Sequence, residues 1–267
     1  IDTIFRERYN LPFNMIDRSL SAQSRLLEGL MRLLELPLGE FGYHQVMSVA
    51  THPSVGGALE GVNLERWRRW GEALNIRFGA SQEDLQGTYI DRDVYHWDQG
   101  LRRLALGCFM EGELAGDERL FEVGVRAWVP FEVGGDGVSE GAQMIELCRS
   151  LIIDASECRR AKLSLGQWCM LFTRLVKRYL LSKSPADEQA LTQCLETIEE
   201  LKVTDLEGAL ISYEVAQSLL KGRLKRLEAR RGQHQADGVV VSSMLPMRAI
   251  PFHTIYLLGL GERDFPA

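Results

Sequence analysis

The 267-residue chain lacks several things, and each lack removes a class of function. Its five cysteines, Cys108, Cys148, Cys158, Cys169 and Cys194, lie in apolar, helical-looking runs and form no Cys-x-x-Cys pair. That pattern argues against a zinc ribbon or a disulfide framework and suits a reducing, cytoplasmic setting. The five histidines, His44, His52, His96, His234 and His253, have no HxxxH or HExxH spacing, so metal ligation is not expected. No Gly-x-x-x-x-Gly-Lys-Ser/Thr segment occurs; phosphoryl transfer needs such a cradle, with acidic groups on magnesium. No apolar run approaches the ~18 residues of a membrane span, so no membrane partner is expected. A net charge of -6 excludes a wholesale basic coat and leaves room for a local basic groove. The opening IDTIFRERYN has neither an initiator Met nor the order of a signal peptide, and the chain stops soon after an expected strand. It is therefore expected to be a segment of a longer protein.

With 45% hydrophobic residues the chain can bury a substantial core. Phe13, Met15 and Ile16 suggest a short buried strand ended by Asp17. Leu26, Leu27, Leu30, Leu33 and Leu34 recur at helical spacing until Pro37 and Gly39 break the run. A second helix is expected over about 43–50, before His52-Pro53 and a loop marked by Gly56, Gly57 and Gly61. Asn63 reads as the cap of a helix with Trp67, Trp70 and Leu74 on one face, stopping near Asn75. Residues 80–95 read as loop, and a helix resumes from His96. Residues 130–141 are the most loop-like, and helices are expected over 142–155, 164–181, 186–201 and about 206–230. Val239 to Val241 and Ile255 to Leu258 are apolar runs of strand length, as in a covered, mostly parallel sheet. The expected fold is α/β and predominantly helical, a discontinuous α/β unit interrupted by a helical insertion.

That organisation, with the closing segment SSMLPMRAIPFHTIYLLGLGERDFP at 242–266, resembles the second half of a superfamily 1, UvrD-like helicase core. The closer resemblance is to the RecC family, gamma subunits of exodeoxyribonuclease V. It extends to LPFNMIDRSL at 11–20, LERWRRWGEALNIRFG at 64–79 and HWDQGLRRLALGCFM at 96–110, in the family's order. The resemblance implies a split RecA-like (2A-type, P-loop-fold) subdomain, residues 1–58 and 236–267, around an all-helical 2B-type insertion, residues 59–235. In active UvrD-like helicases the closing segment reads roughly T-x-H-x-x-K-G-L-E-F. Here Leu245 replaces its His, Ala249 its Gly and Pro251 its Glu, while Ser243 and Arg248 keep a hydroxyl and a cation. The resemblance thus carries no motor chemistry to this motif. It implies a scaffold without catalysis or cofactor of its own, which guides and splits DNA in double-strand-break repair. Its partners would be a RecB-like nuclease-helicase and a RecD-like helicase, which use the ATP and magnesium. An active UvrD-like or AddB-type subunit and a pure protein-interaction scaffold are the alternatives.

Ser243, Arg248 and Arg18 are the candidate DNA-binding residues. Each also has a plainer reading. Arg248 can be a solvated or carboxylate-paired residue, Ser243 a turn-forming hydroxyl, and Asp17-Arg18 an ion pair or helix-start signal. Trp67 and Trp70, flanked by Arg66, Arg68 and Arg69, mimic a single-strand stacking platform. Their spacing instead favours a core stripe, with the arginines solvated or paired to Glu65 and Glu72. The basic run from Lys221 to Arg231 reads as a helix C-terminus or a phosphate-facing surface. Glu132, Asp136 and Glu140 read as solvated loop carboxylates.

Overall fold

The computed structural model describes residues 5, 8–9, 13–15, 25–55, 61–90, 92–110, 120–123, 126–205, 208–230, 239–242 and 251–258. The chain divides into two compact units, Ile1–Ser19 with Ala229–Ala267, and Leu20–Glu228. The fold is α/β and mostly helical, with three two-stranded sheets among the described residues.

In the first unit, strand β1 (Phe13–Met15) pairs in parallel with a strand from the far end of the chain, Val239–Val241, in the register Phe13↔Val239 to Met15↔Val241. Phe5 packs edge-on against Phe13, with ring centroids 5.3 Å apart. The expected strand over Ile255 to Leu258 is not formed. Ile255, Tyr256, Leu257 and Leu258 are exposed by 65, 84, 57 and 82%. Strand preference is largely a preference for cross-strand neighbours, and no described strand lies beside this run.

The second unit contains helices α1 (Arg25–Glu35), α2 (Tyr43–Ala50), α3 (Leu64–Ala73), α4 (Trp97–Phe109), α5 (Val138–Arg160), α6 (Leu165–Tyr179), α7 (Pro185–Lys202) and α8 (Tyr213–Arg230). Side-chain caps start several of them, each satisfying a first-turn N–H. Asn63 Oδ1 accepts from Arg66 N–H at 3.1 Å, and Ser164 and Gln167 form a reciprocal capping box on α6. The cap of α4 is a buried histidine: His96 Nδ1 accepts from Gln99 N–H while Nε2 faces Asp93 at 2.7 Å. Helix α5 runs longer than its apolar pattern, beginning at Val138 and ending at Arg160. It is the organising helix, packed on α2, α3, α4 and the turn Leu36–Leu38. A hairpin, β2 (Phe121–Val123) with β3 (Arg126–Trp128), and a short pair, β4 (Lys162–Leu163) with β5 (Ile211–Ser212), complete the unit; the Val239–Val241 strand is β6. The β5 strand delays α8 to Tyr213, later than the helix expected from about 206.

Tryptophans mark the core. Trp67, Trp97 and Trp168 are all fully buried. Trp168 packs on Phe172 and Tyr213, its indole N–H donating to Ile211 C=O, while Tyr213 O–H reaches Leu34 C=O at 2.8 Å. Trp97 fastens three loops. Its indole N–H donates to Phe41 C=O at 2.8 Å, and backbone bonds join Tyr43 N–H to Arg77 C=O, Arg77 N–H to Tyr95 C=O and Gly79 N–H to Glu40 C=O. Phe41, Asn75 and Tyr95, the described non-glycine residues with positive φ, all lie in this knot. Such conformations persist only where surrounding contacts over-determine them. Arg159 supplies one such contact, lying 4.3 Å over the Phe41 ring and donating to Pro37 C=O and Gly39 C=O.

Candidate functional site

The candidate DNA-binding residues Arg18, Ser243 and Arg248 lie outside the described residues. Other residues weighed as DNA contacts have structural roles. Trp67 and Trp70 face the core at 0 and 7% exposure. Arg68 pairs with Glu65 as expected, but Arg66 reaches across the chain to Asp136 at 3.0 Å and Glu140 at 3.6 Å. Those two carboxylates are therefore tied to α3 rather than merely solvated. Lys221 of the basic run pairs with Glu35 at 2.7 Å. Burial pushes the Cys148, Cys158 and Cys194 thiols up to about 12 and Cys169 to about 11, so these sulfurs are inert packing groups. Among the described residues no group of His, Cys, Asp and Glu could hold a metal, and no helix is long and apolar enough to cross a membrane.

Among the depressions on the surface of the second unit, two lie between packed helices. The larger, about 770 Å³, runs between α4 and α5, with Trp97, Leu101, Ile152 and Ile153 among its lining. Of the charged groups in its lining, Asp98 binds Arg149 at 3.1 Å, as well as Arg102 at 2.6 Å, and Glu157 and Arg160 stand nearby. The second, about 520 Å³, opens where α1, α2 and α3 meet and is far more polar. Helix α1 contributes Arg25, Glu28 and Arg32, α2 contributes Tyr43, His44 and Met47, and α3 contributes Arg68 and Glu72, with His52 from the segment after α2.

These groups are held from several sides. Arg32 binds Glu28 at 2.6 Å and donates to Ser48 C=O. Tyr43 O–H donates to Arg68 C=O at 2.8 Å. Burial, then the nearby Glu72 charge, pushes the Tyr43 phenol up to about 12. The imidazole of His52 is 5% exposed; Nδ1 accepts from Ser54 N–H, which leaves the proton on Nε2, 3.6 Å from Glu28 Oε2. Burial holds the His52 pKa below the ordinary value, against the upward pull of Glu28, and Arg32 and Arg25 add to the depression. Glu28 moves down as well: burial raises it, but the hydrogen bond and charge of Arg32, with His52, outweigh that.

The sign of the resulting pH dependence follows. An unfolded histidine takes up its proton near pH 6.5, whereas folded His52 resists it. Stability contributed by the neutral ring is present above about pH 6.5 and is lost as pH falls towards the depressed folded value. Glu28 acts lower, contributing above about pH 4.5 and losing that contribution as pH falls through its own folded value. Thermal melts between pH 7 and 5.5 are expected to show a falling midpoint, with a shallower slope in His52→Gln. An unchanged slope in that variant would remove His52 from the account.

Residues 23–228 match the family model for the fourth domain of the RecBCD enzyme subunit RecC. The matched span nearly coincides with the larger compact unit, Leu20–Glu228. The chain is similar to the RecBCD enzyme subunit RecC of Escherichia coli strain K12, 24% identical over 269 residues covering 97% of this chain and 23% of that protein. The Haemophilus influenzae subunit is 21% identical over 264 residues, covering 96 and 22%, and that of Mycolicibacterium smegmatis is 23% identical over 276 residues, covering 97 and 23%. The chain thus spans less than a quarter of the length of these curated relatives. Since the family model covers residues 23–228, well over half of the chain, the chain belongs to the RecC family of RecBCD enzyme subunits.

Proposed function

We propose that this chain serves as a non-hydrolysing, helicase-like scaffold that guides and splits duplex DNA within a RecBCD-type complex, in the recombinational repair of double-strand breaks. The observation that carries this reading is the family match over residues 23–228. In the proposed arrangement ATP and magnesium are used by RecB-like and RecD-like partner subunits in the cytoplasm, and this chain contributes surface and shape. The parallel pairing of β1 with β6 supports a further part of the proposal, a split RecA-like subdomain over 1–58 and 236–267 with a helical insertion over 59–235. Parallel strands need a long crossover, and here the chain between them passes through the helical insertion. Within this reading Ser243, Arg248 and Arg18 are DNA contacts. The altered motif, with Leu245, Ala249 and Pro251 in place of motor residues, supports the absence of hydrolysis.

The test is fluorescence anisotropy with a labelled forked DNA, titrating wild type and Arg248→Ala at low and moderate salt, with circular dichroism as a check on folding. Salt-sensitive binding weakened several-fold by the substitution is the expected result, since removing a single cation from a phosphate lowers the salt slope by about 1. Absence of binding at every salt concentration would leave a protein-only scaffold. ATP hydrolysis by the purified chain would instead make it a motor.

A further inference from the structure

Two helix-interior glycines, Gly29 in α1 and Gly71 in α3, stand against rings of the same cleft. A Cβ at Gly29 would lie 2.8 Å from His52 Nδ1, and a Cβ at Gly71 would land on the Tyr43 ring. Glycine inside a helix costs about 1 kcal/mol relative to alanine. At both of these positions the freed space seats a ring lining the cleft between α1, α2 and α3.

The charges around these rings are unequally committed. Arg32 is fixed to Glu28 and to Ser48 C=O, which neutralises Glu28. Arg25 makes no ion pair among the described residues, and Arg68 engages Glu65 through a single nitrogen of its guanidinium. Each guanidinium carries five donors in a planar fork that matches a phosphate, so both keep donors to offer. Glu72 is the opposing charge on the rim. The exposed His44 ring stands edge-on to Tyr43, with centroids 5.2 Å apart. Cations beside an exposed ring are the combination that holds a phosphate with its attached base. The cleft volume of about 520 Å³ falls within the usual range for small-ligand sites.

We propose that this cleft binds one nucleotide of a DNA strand, its phosphate held by Arg25 and Arg68 and its base laid against His44 and Tyr43. The source of the phosphate rests on the DNA-guiding reading; a free nucleotide offers the same chemistry, and the test separates the two. The probe is a fluorescein-labelled oligothymidylate, titrated by anisotropy at low and moderate salt. A second oligothymidylate carrying one 5-iododeoxyuridine is photocrosslinked and mapped by mass spectrometry.

Arg25→Ala/Arg68→Ala is expected to weaken binding roughly tenfold and to reduce the salt slope by about 0.7, the effect of leaving one single-strand phosphate without its cations. Glu72→Gln is expected to tighten binding several-fold, a gain that misfolding would not produce. Arg160→Ala/Arg174→Ala removes the same charge away from the cleft and is expected to bind as wild type, and the crosslink is expected on His44 or Tyr43. Equal losses in the two double variants, or none in the first, would overturn the cleft assignment while leaving DNA binding intact. A wild-type chain that binds no oligothymidylate or forked DNA removes the DNA-guiding reading and the cleft assignment together. Loss of both probe binding and the His44 or Tyr43 crosslink at ATP concentrations that leave forked-DNA binding intact would reassign the cleft to a free nucleotide and overturn the strand proposal.

Discussion

Trp97→Ala is expected to lower stability by about 4–5 kcal/mol, the upper end for truncating a buried tryptophan. The side chain is fully buried, its indole N–H is the donor to Phe41 C=O, and its ring stacks near Tyr43 at 6.3 Å. The substitution opens a cavity and also releases the carbonyl of a residue held at φ 54. The three loops around it carry the backbone bonds between residues 40, 43, 77, 79 and 95, so the loss should spread beyond the cavity. With natural domains stable by only about 5–15 kcal/mol, this is a large share. The thermal midpoint should fall by roughly 10 °C or more. Trp97→Phe separates the parts: it keeps most of the ring, loses the donor, and should cost about 1–3 kcal/mol. Equal losses in the two variants would mean that the hydrogen bond, not the packing, holds the knot.

Gly107→Ala should be the more surprising variant, because helix propensity alone predicts a gain of about 1 kcal/mol. Gly107 lies inside α4, and a Cβ there would collide with the carbonyl of Phe131. That carbonyl belongs to backbone anchored by Phe131 N–H donating to Arg103 C=O at 2.9 Å, so it cannot swing aside as a side chain would. A net loss of about 2–3 kcal/mol is expected from overpacking. Gly222→Ala in α8 is the matching control, since nothing lies within 4 Å of its added Cβ. It should stabilise by up to about 1 kcal/mol. Denaturation midpoints that move in opposite directions for these two alanines would support the clash. Movement in the same direction would refute it.

These two glycines show why the sequence could be read only in part. Helix positions were legible wherever apolar spacing coincided with a chemical boundary: α2 begins at Tyr43 and ends before His52-Pro53, and Asn63 caps α3 as its side chain suggests. The strands β2 to β5 have only two or three residues each and carry too little alternation to be seen. The start of α5 was hidden because Gly134, Gly135 and Gly137 read as loop, whereas Val138 already begins the helix. The exposed run Ile255 to Leu258 had the composition of a strand, but composition cannot supply a neighbour.

The cleft was less legible than the fold. Gly29 interrupts a leucine-rich helix and Gly71 a tryptophan-bearing one, and in sequence both look like simple defects. Their partners, His52 and Tyr43, are 23 and 28 residues away, beyond the reach of any periodicity. The signal available was the glycine itself, placed inside a well-patterned helix where alanine would serve better. Arg66 posed the same difficulty: its partner Asp136 lies seventy positions on, while a carboxylate stands next to it in sequence.

The pairing of β1 with β6 has a consequence for the order of events in folding. It joins residue 13 to residue 239 through three-residue strands. Closing a loop of that length in an unstructured chain costs about 5 kcal/mol in entropy, more than so short a ladder returns. The helical unit is rich in contacts between consecutive helices, such as α4 with α5 and α6 with α7, which repay short closures early, and it should form first. The parallel ladder then closes late, once the intervening helices have shortened the effective loop. Its amide protons should be the last to gain protection from exchange on refolding, and the first to lose it when the chain is strained.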